Sequence, residues 1–101
     1  MIPIDKVKNI IERYDLLEKE LSTGKFDAKL FAKKSKEYSD LKNIIVTAKE
    51  YLNFEKNKKD LEKIIADNST DAEMKELANM ELNELIEKKT KNELKLKIFL
   101  L

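Results

Sequence analysis

Apolar residues recur at steps of three and four along almost the whole chain, the period at which an α-helix turns one face toward a partner. Val7, Ile10, Ile11, Tyr14, Leu17 and Leu21 mark the first run and predict a helix from about Pro3 to Ser22. Pro is tolerated at a first helical position, because its missing N–H would have no partner there. Thr23 and Gly24 end the run, Gly being suited to the left-handed turn after a helix. A second run opens at Asp27, a predicted N-cap, with Phe26 and Phe31 spaced for a hydrophobic staple across it. No Pro or Gly interrupts it before Asp67 and Asn68. The predicted second helix is therefore nearly forty residues long and about 58 Å from end to end. A compact chain of this length has a radius of gyration of only about 13 Å, so an elongated molecule is expected.

That second helix carries two stripes. Tyr38, Leu41, Ile45, Ala48 and Leu52 form one; Ile44, Tyr51, Phe54, Leu61 and Ile65 form the other. Alternating threes and fours make a heptad seam, and two seams call for two partners, most simply the first and third helices. The third helix is predicted to start with Thr70, Asp71, Ala72 and Glu73, a capping-box pattern. Met74, Leu77, Ala78, Leu82, Leu85 and Ile86 follow on one face. Short connections at Thr23–Phe26 and Asp67–Ser69 make both outer helices antiparallel to the central one, running back along it from opposite ends and overlapping near its middle. The expected fold is all-α: an elongated antiparallel three-helix bundle of coiled-coil character with a very long, unbroken central helix.

After Glu93 the period changes. Leu94, Leu96 and Ile98 alternate with Lys95 and Lys97, and Phe99, Leu100 and Leu101 close the sequence. The expected division is a helical domain over 1–93, with 94–101 the start of a linker or strand into a further element. The alternative is a frayed helix end tucked against the second helix. The uncovered seam and the apolar tail also leave self-association open.

Composition narrows the chemistry. Ala, Glu, Lys, Leu and Arg fill 54 of the 101 positions, as in long helices and coiled coils. With one Gly and one Pro, the turns of a β-sandwich or barrel are not provided for. There is no Cys and no His, which excludes disulfides, Cys/His zinc sites, imidazole acid–base catalysis and Ser-His-Asp triads. Net charge is +1, with +2 in residues 1–50 and −1 in 51–101, so neither half is a basic arm or an acidic tail. No apolar run approaches the ~18 residues of a membrane span, and the N-terminus has no signal-peptide pattern. The absence of Cys fits a cytoplasmic chain.

Most carboxylates stand four residues from a Lys: Lys33–Glu37, Lys36–Asp40, Glu55–Lys59, Lys58–Glu62, Glu84–Lys88 and Glu87–Lys91. They are expected to be solvated helix pairs rather than catalytic groups. No catalytic residue, cofactor or metal ligand is predicted, and the chain is not expected to be an enzyme. One basic cluster stands out: Lys25, Lys29, Lys33, Lys34 and Lys36 against a single Asp27. Lys29, Lys33 and Lys36 share a helical face and form the candidate nucleic-acid-binding patch, to be weighed against an ordinary Lys-rich exposed face. Tyr14, Tyr38, Tyr51 and Phe54 lie on or beside the apolar stripes and are expected in the core, their hydroxyls at its rim.

Three stretches carry a family resemblance. They are Ile10-Ile11-Glu12-Arg13-Tyr14-Asp15-Leu16-Leu17, then Ser35-Lys36-Glu37-Tyr38-Ser39-Asp40-Leu41, and Asp71-Ala72-Glu73-Met74-Lys75-Glu76-Leu77-Ala78. Over essentially its whole length the chain is similar to the N-terminal domain of the bacterial peptide chain release factor 1 family. The release factor 2 branch is matched less well at Ser35 to Tyr38. Family members often have Pro where Ala72 stands and a longer connection before the second helix, departures that touch turns. The resemblance implies a part in translation termination in the cytoplasm. Class I release factors enter the ribosome at a stop codon and trigger hydrolysis of peptidyl-tRNA, reading the codon with a tripeptide loop and positioning water with a Gly-Gly-Gln motif in later domains. This sequence has no Gly-Gly pair. It implies an accessory module whose partners are the ribosome at the large-subunit stalk base and the GTPase release factor 3. A generic helical adaptor with no ribosomal role is the alternative, and a break in the long central helix is expected to count against the resemblance.

Overall fold

A computed structural model describes residues 1–101 and contains four helices and no strand: α1 (Ile4–Thr23), α2 (Ala28–Lys42), α3 (Ile45–Ala66) and α4 (Ala72–Phe99). The molecule is a rod of 61 × 27 × 19 Å with a radius of gyration of 18.4 Å. α2 and α3 follow one another and barely touch side to side, whereas α1 packs along both and α4 packs along α3. The outer helices overlap near the middle of the rod, as their lengths predict.

The central helix is two helices, not one. The break falls at Asn43 and Ile44. Ile44 has φ −113° and ψ −12°, its N–H donates to the Leu41 carbonyl at 3.0 Å, and a new ladder starts where the Ala48 N–H donates to the Ile44 carbonyl at 2.9 Å. The local sequence explains it. Ile44, Ile45, Val46 and Thr47 are four β-branched residues in succession, each losing χ1 freedom in a helix, and Asn43 before them readily leaves helical geometry.

Helix ends follow capping chemistry. Gly24 ends α1 at φ +65°, a left-handed position that L side chains adopt only with strain. The Asp27 carboxylate accepts the Leu30 N–H at 2.8 Å and starts α2. α4 starts one residue later than the capping-box reading: Asp71, not Thr70, is its N-cap and accepts the Met74 N–H at 2.8 Å. Asp67 organises the preceding turn, taking both the backbone N–H and the hydroxyl of Ser69. These bonds hold its carboxyl below the usual aspartate range.

The tail is also helical. Residues 94–99 continue α4 where their alternation predicts a strand. Leu96 is the reason: it is fully buried with Ile2, Val7, Ile10, Leu17, Leu41, Ile44, Ala48 and Tyr51, and the helical period sets it in line with buried Asn92. Only 14 of the 101 residues are buried, so polar contacts carry much of the registration between helices.

Candidate functional site

The basic patch is built on the outer side of α2. Asp27 fixes the start of the helix, and steps of four and three then set Lys29, Lys33 and Lys36 along one exposed strip. The structure brings these three together and leaves their heads in water. Lys36 approaches Asp40 at 3.8 Å, both side chains being largely exposed; such a pair is worth a few tenths of a kcal/mol at most. Lys34 points the other way. Its Nζ donates to Glu20 of α1 at 2.5 Å and lies 5.2 Å from the centre of the Phe26 ring. The strip can therefore offer Lys29 and Lys33 as free charges and Lys36 as a weakly held one, suited to phosphate groups but without a bidentate fork.

Beside the strip lies a clasp that i,i+4 reasoning misses. The Arg13 guanidinium of α1 donates to both Glu37 oxygens, at 2.7 and 2.8 Å, so Glu37 pairs across helices rather than with Lys33. One residue further on, Tyr14 and Tyr38 stack with ring centres 4.9 Å apart and share a hydrogen bond between hydroxyls at 3.1 Å. Arg13 holds the Glu37 carboxyl below its ordinary range, and the bond to Tyr14 pushes the Tyr38 phenol up to about 12. The signal was in the sequence: Arg13 and Glu37 each precede a seam tyrosine.

A second clasp joins α3 to α4 and to the N-terminus. The Tyr51 hydroxyl accepts the Ile2 N–H at 3.1 Å and donates to Glu93 at 3.2 Å. Glu50 accepts from Asn92 at 3.1 Å and pairs with Lys88 at 3.0 Å. Of the six helix pairs expected from spacing, Lys36–Asp40 forms, while Lys33–Glu37, Glu55–Lys59, Lys58–Glu62, Glu84–Lys88 and Glu87–Lys91 are not among the five ion pairs. No group of three or more carboxylates is arranged to hold a metal ion, and no helix is long and apolar enough to cross a membrane.

The first clasp ties together two of the stretches that carry the sequence resemblance: Arg13 and Tyr14 come from the first, Glu37 and Tyr38 from the second. The PCRF domain family matches residues 10–101. The chain belongs to the PCRF domain family. Peptide chain release factor 1 of Pelagibacter ubique (strain HTCC1062) is 50% identical to it over 101 residues, 100% of this chain and 28% of the relative. Peptide chain release factor 1 of Orientia tsutsugamushi (strain Boryong) is 40% identical over 95 residues, 94% of this chain and 26% of the relative. That of Rhizobium rhizogenes (strain K84 / ATCC BAA-868) is 34% identical over 87 residues, 86% and 24%. This PCRF domain thus spans about a quarter of the length of those relatives. No solved structure matches it. The break between α2 and α3 does not separate the chain from the family, contrary to the expectation attached to it.

Proposed function

We propose that this PCRF domain is the accessory helical domain of a peptide chain release factor 1 and acts in translation termination at stop codons, on the ribosome in the cytoplasm. The observation that carries this reading is its 50% identity, over every one of its residues, to a protein of that name. The generic-adaptor reading is not favoured, because the family match spans α2 to α4 and most of α1. In this role the domain does no chemistry. It supplies a stiff arm, while codon reading and the direction of peptidyl-tRNA hydrolysis belong to other parts of the factor. The helical arm runs on to Phe99, because Leu96 is buried in its core. Its partners are the stalk base of the large subunit and the GTPase release factor 3. Lys29, Lys33 and Lys36 meet ribosomal RNA phosphates there.

The test is a chimaera in which this chain replaces the matched part of the Pelagibacter ubique factor. Stop-codon-dependent peptide release should be retained, and the 101-residue chain alone should give none. A chimaera that folds by circular dichroism yet loses release, or release by the isolated chain, overturns the reading. In the same chimaera, changing Lys29, Lys33 and Lys36 to Gln should weaken ribosome binding and flatten its salt dependence. Unchanged affinity and slope would remove the patch from the interface.

A further inference from the structure

α3 sorts its charges by side. Lys49, Lys56 and Lys63 stand seven residues apart, so they lie nearly in line along the helix, about 10 Å from one to the next. Lys59 fills the gap between the last two. All four are exposed, and none takes part in an ion pair, although Asp60 and Glu55 stand four residues from Lys56 and Lys59. The acids of the helix are turned elsewhere. Glu50 is held by Asn92 and Lys88 of α4. Glu55 lines a cavity with Ile2, Ile4 and Lys89, and Glu62, seven residues on, follows the same line. Asp60 lines the groove between α3 and α4. Between Lys49 and Lys63 no large apolar side chain is exposed.

We infer that this outer strip of α3 seats the phosphate backbone of an RNA. The chemistry of the strip selects the occupant. A protein partner would need apolar or aromatic anchors, and lysine is depleted in such interfaces. A bilayer would need an apolar face to take up. A row of phosphates needs only a row of cations. Four ammonium groups over about 21 Å supply one, and they meet phosphates as point charges without reading bases. The strip is separate from Lys29, Lys33 and Lys36, which lie on α2 beyond the break. The rod therefore offers cations to a phosphate backbone at two places along its length. That the nucleic acid is RNA rests on the release-factor reading; that the strip takes a phosphate backbone rests on the sorting of charge alone.

The test is the binding of the 101-residue chain to a fluorescently labelled RNA hairpin of about 20 base pairs, read by anisotropy from about 20 to about 200 mM potassium chloride. The triple change Lys49→Gln, Lys56→Gln and Lys63→Gln should weaken binding about tenfold or more at the low-salt end. It should also flatten the slope of log affinity against log salt by about 2–3. The same charge removed by Lys6→Gln, Lys91→Gln and Lys97→Gln, at exposed lysines of α1 and α4 outside every ion pair, should leave the slope nearly unchanged. All six positions are exposed, so the fold is not at risk, and circular dichroism checks it. No binding by the unchanged chain at the lowest salt, equal losses in the two triple variants, or competition by polyglutamate as effective as by unlabelled RNA would each overturn the inference. None of these readings involves peptide release, so they stand apart from the outcome of the chimaera.

Discussion

At the scale of single residues, the molecule spends its few strong polar groups on joining helices. Arg13, the one arginine, reaches Glu37 with both arms of its fork, a contact a lysine cannot reproduce. Both side chains are more than a third exposed, so solvent screening limits the loss on Arg13→Lys to about 0.5–1 kcal/mol, measurable by urea unfolding at neutral pH. The same pair sets an acid dependence. Glu37 has a folded pKa below its unfolded value, so its contribution is complete above the ordinary glutamate range and is lost as pH falls through the lowered value. Arg13→Lys should therefore also reduce the slope of stability between neutral and acid pH. Tyr38 behaves in the opposite sense. Its phenol is raised from 10.0 to about 12, so its contribution is present below pH 10 and lost as pH rises toward 12. An ultraviolet titration should show a tyrosine ionising near pH 12, and Tyr38→Phe should remove that step; a titration without it would contradict the hydrogen bond between Tyr38 and Tyr14. Tyr51→Phe strips a hydroxyl that serves Ile2 and Glu93 at once. It leaves the Ile2 N–H without its partner, at a cost of about 1–3 kcal/mol in the same unfolding assay.

At the scale of elements, caps decide where helices start. Asp71→Ala should destabilise the chain by about 1 kcal/mol and Thr70→Ala by a few tenths or less, the reverse of what a capping box at Thr70 demands; thermal melts of the two variants separate the cases. That one-residue error is typical of what the sequence hides. Helix content, the Gly24 stop, the Asp27 start and the overlap of the outer helices were all readable, because each follows from periodicity or from one residue's backbone preference. The break at Asn43–Ile44 is invisible to a search for Pro and Gly, because here the interruption is a run of β-branched residues whose separate penalties are small. The tail's alternation does not decide between strand and helix, because period two over five residues is compatible with a helix when one of them, Leu96, has a pocket to fill. For the basic strip, spacing gave its placement on one face correctly. It could not show that Lys34 leaves the cluster for Glu20, since that contact joins residues on different helices.

At the scale of the whole molecule, the break changes how the rod is held straight. A single central helix would be stiff by itself. Two helices joined at Asn43 and Ile44 depend on α1, which packs against both and acts as a splint across the junction. The splint is fastened on the α2 side by the Arg13 and Tyr14 contacts and on the α3 side by Val7, Ile10 and the Ile2–Tyr51 bond. Loosening either fastening should let the rod bend at the junction before the α3–α4 pair comes apart, because that pair has its own contacts through Glu50, Asn92 and Lys88. X-ray scattering extrapolated to zero concentration should give a radius of gyration near 18.4 Å for the backbone, well above the about 13 Å of a compact chain. The double change Arg13→Ala and Tyr14→Ala removes the α2-side fastening. It should broaden the scattering-derived distance distribution and shorten its maximum while helix content by circular dichroism falls only slightly. An unchanged distribution would mean that the α2–α3 junction is stiff without its splint.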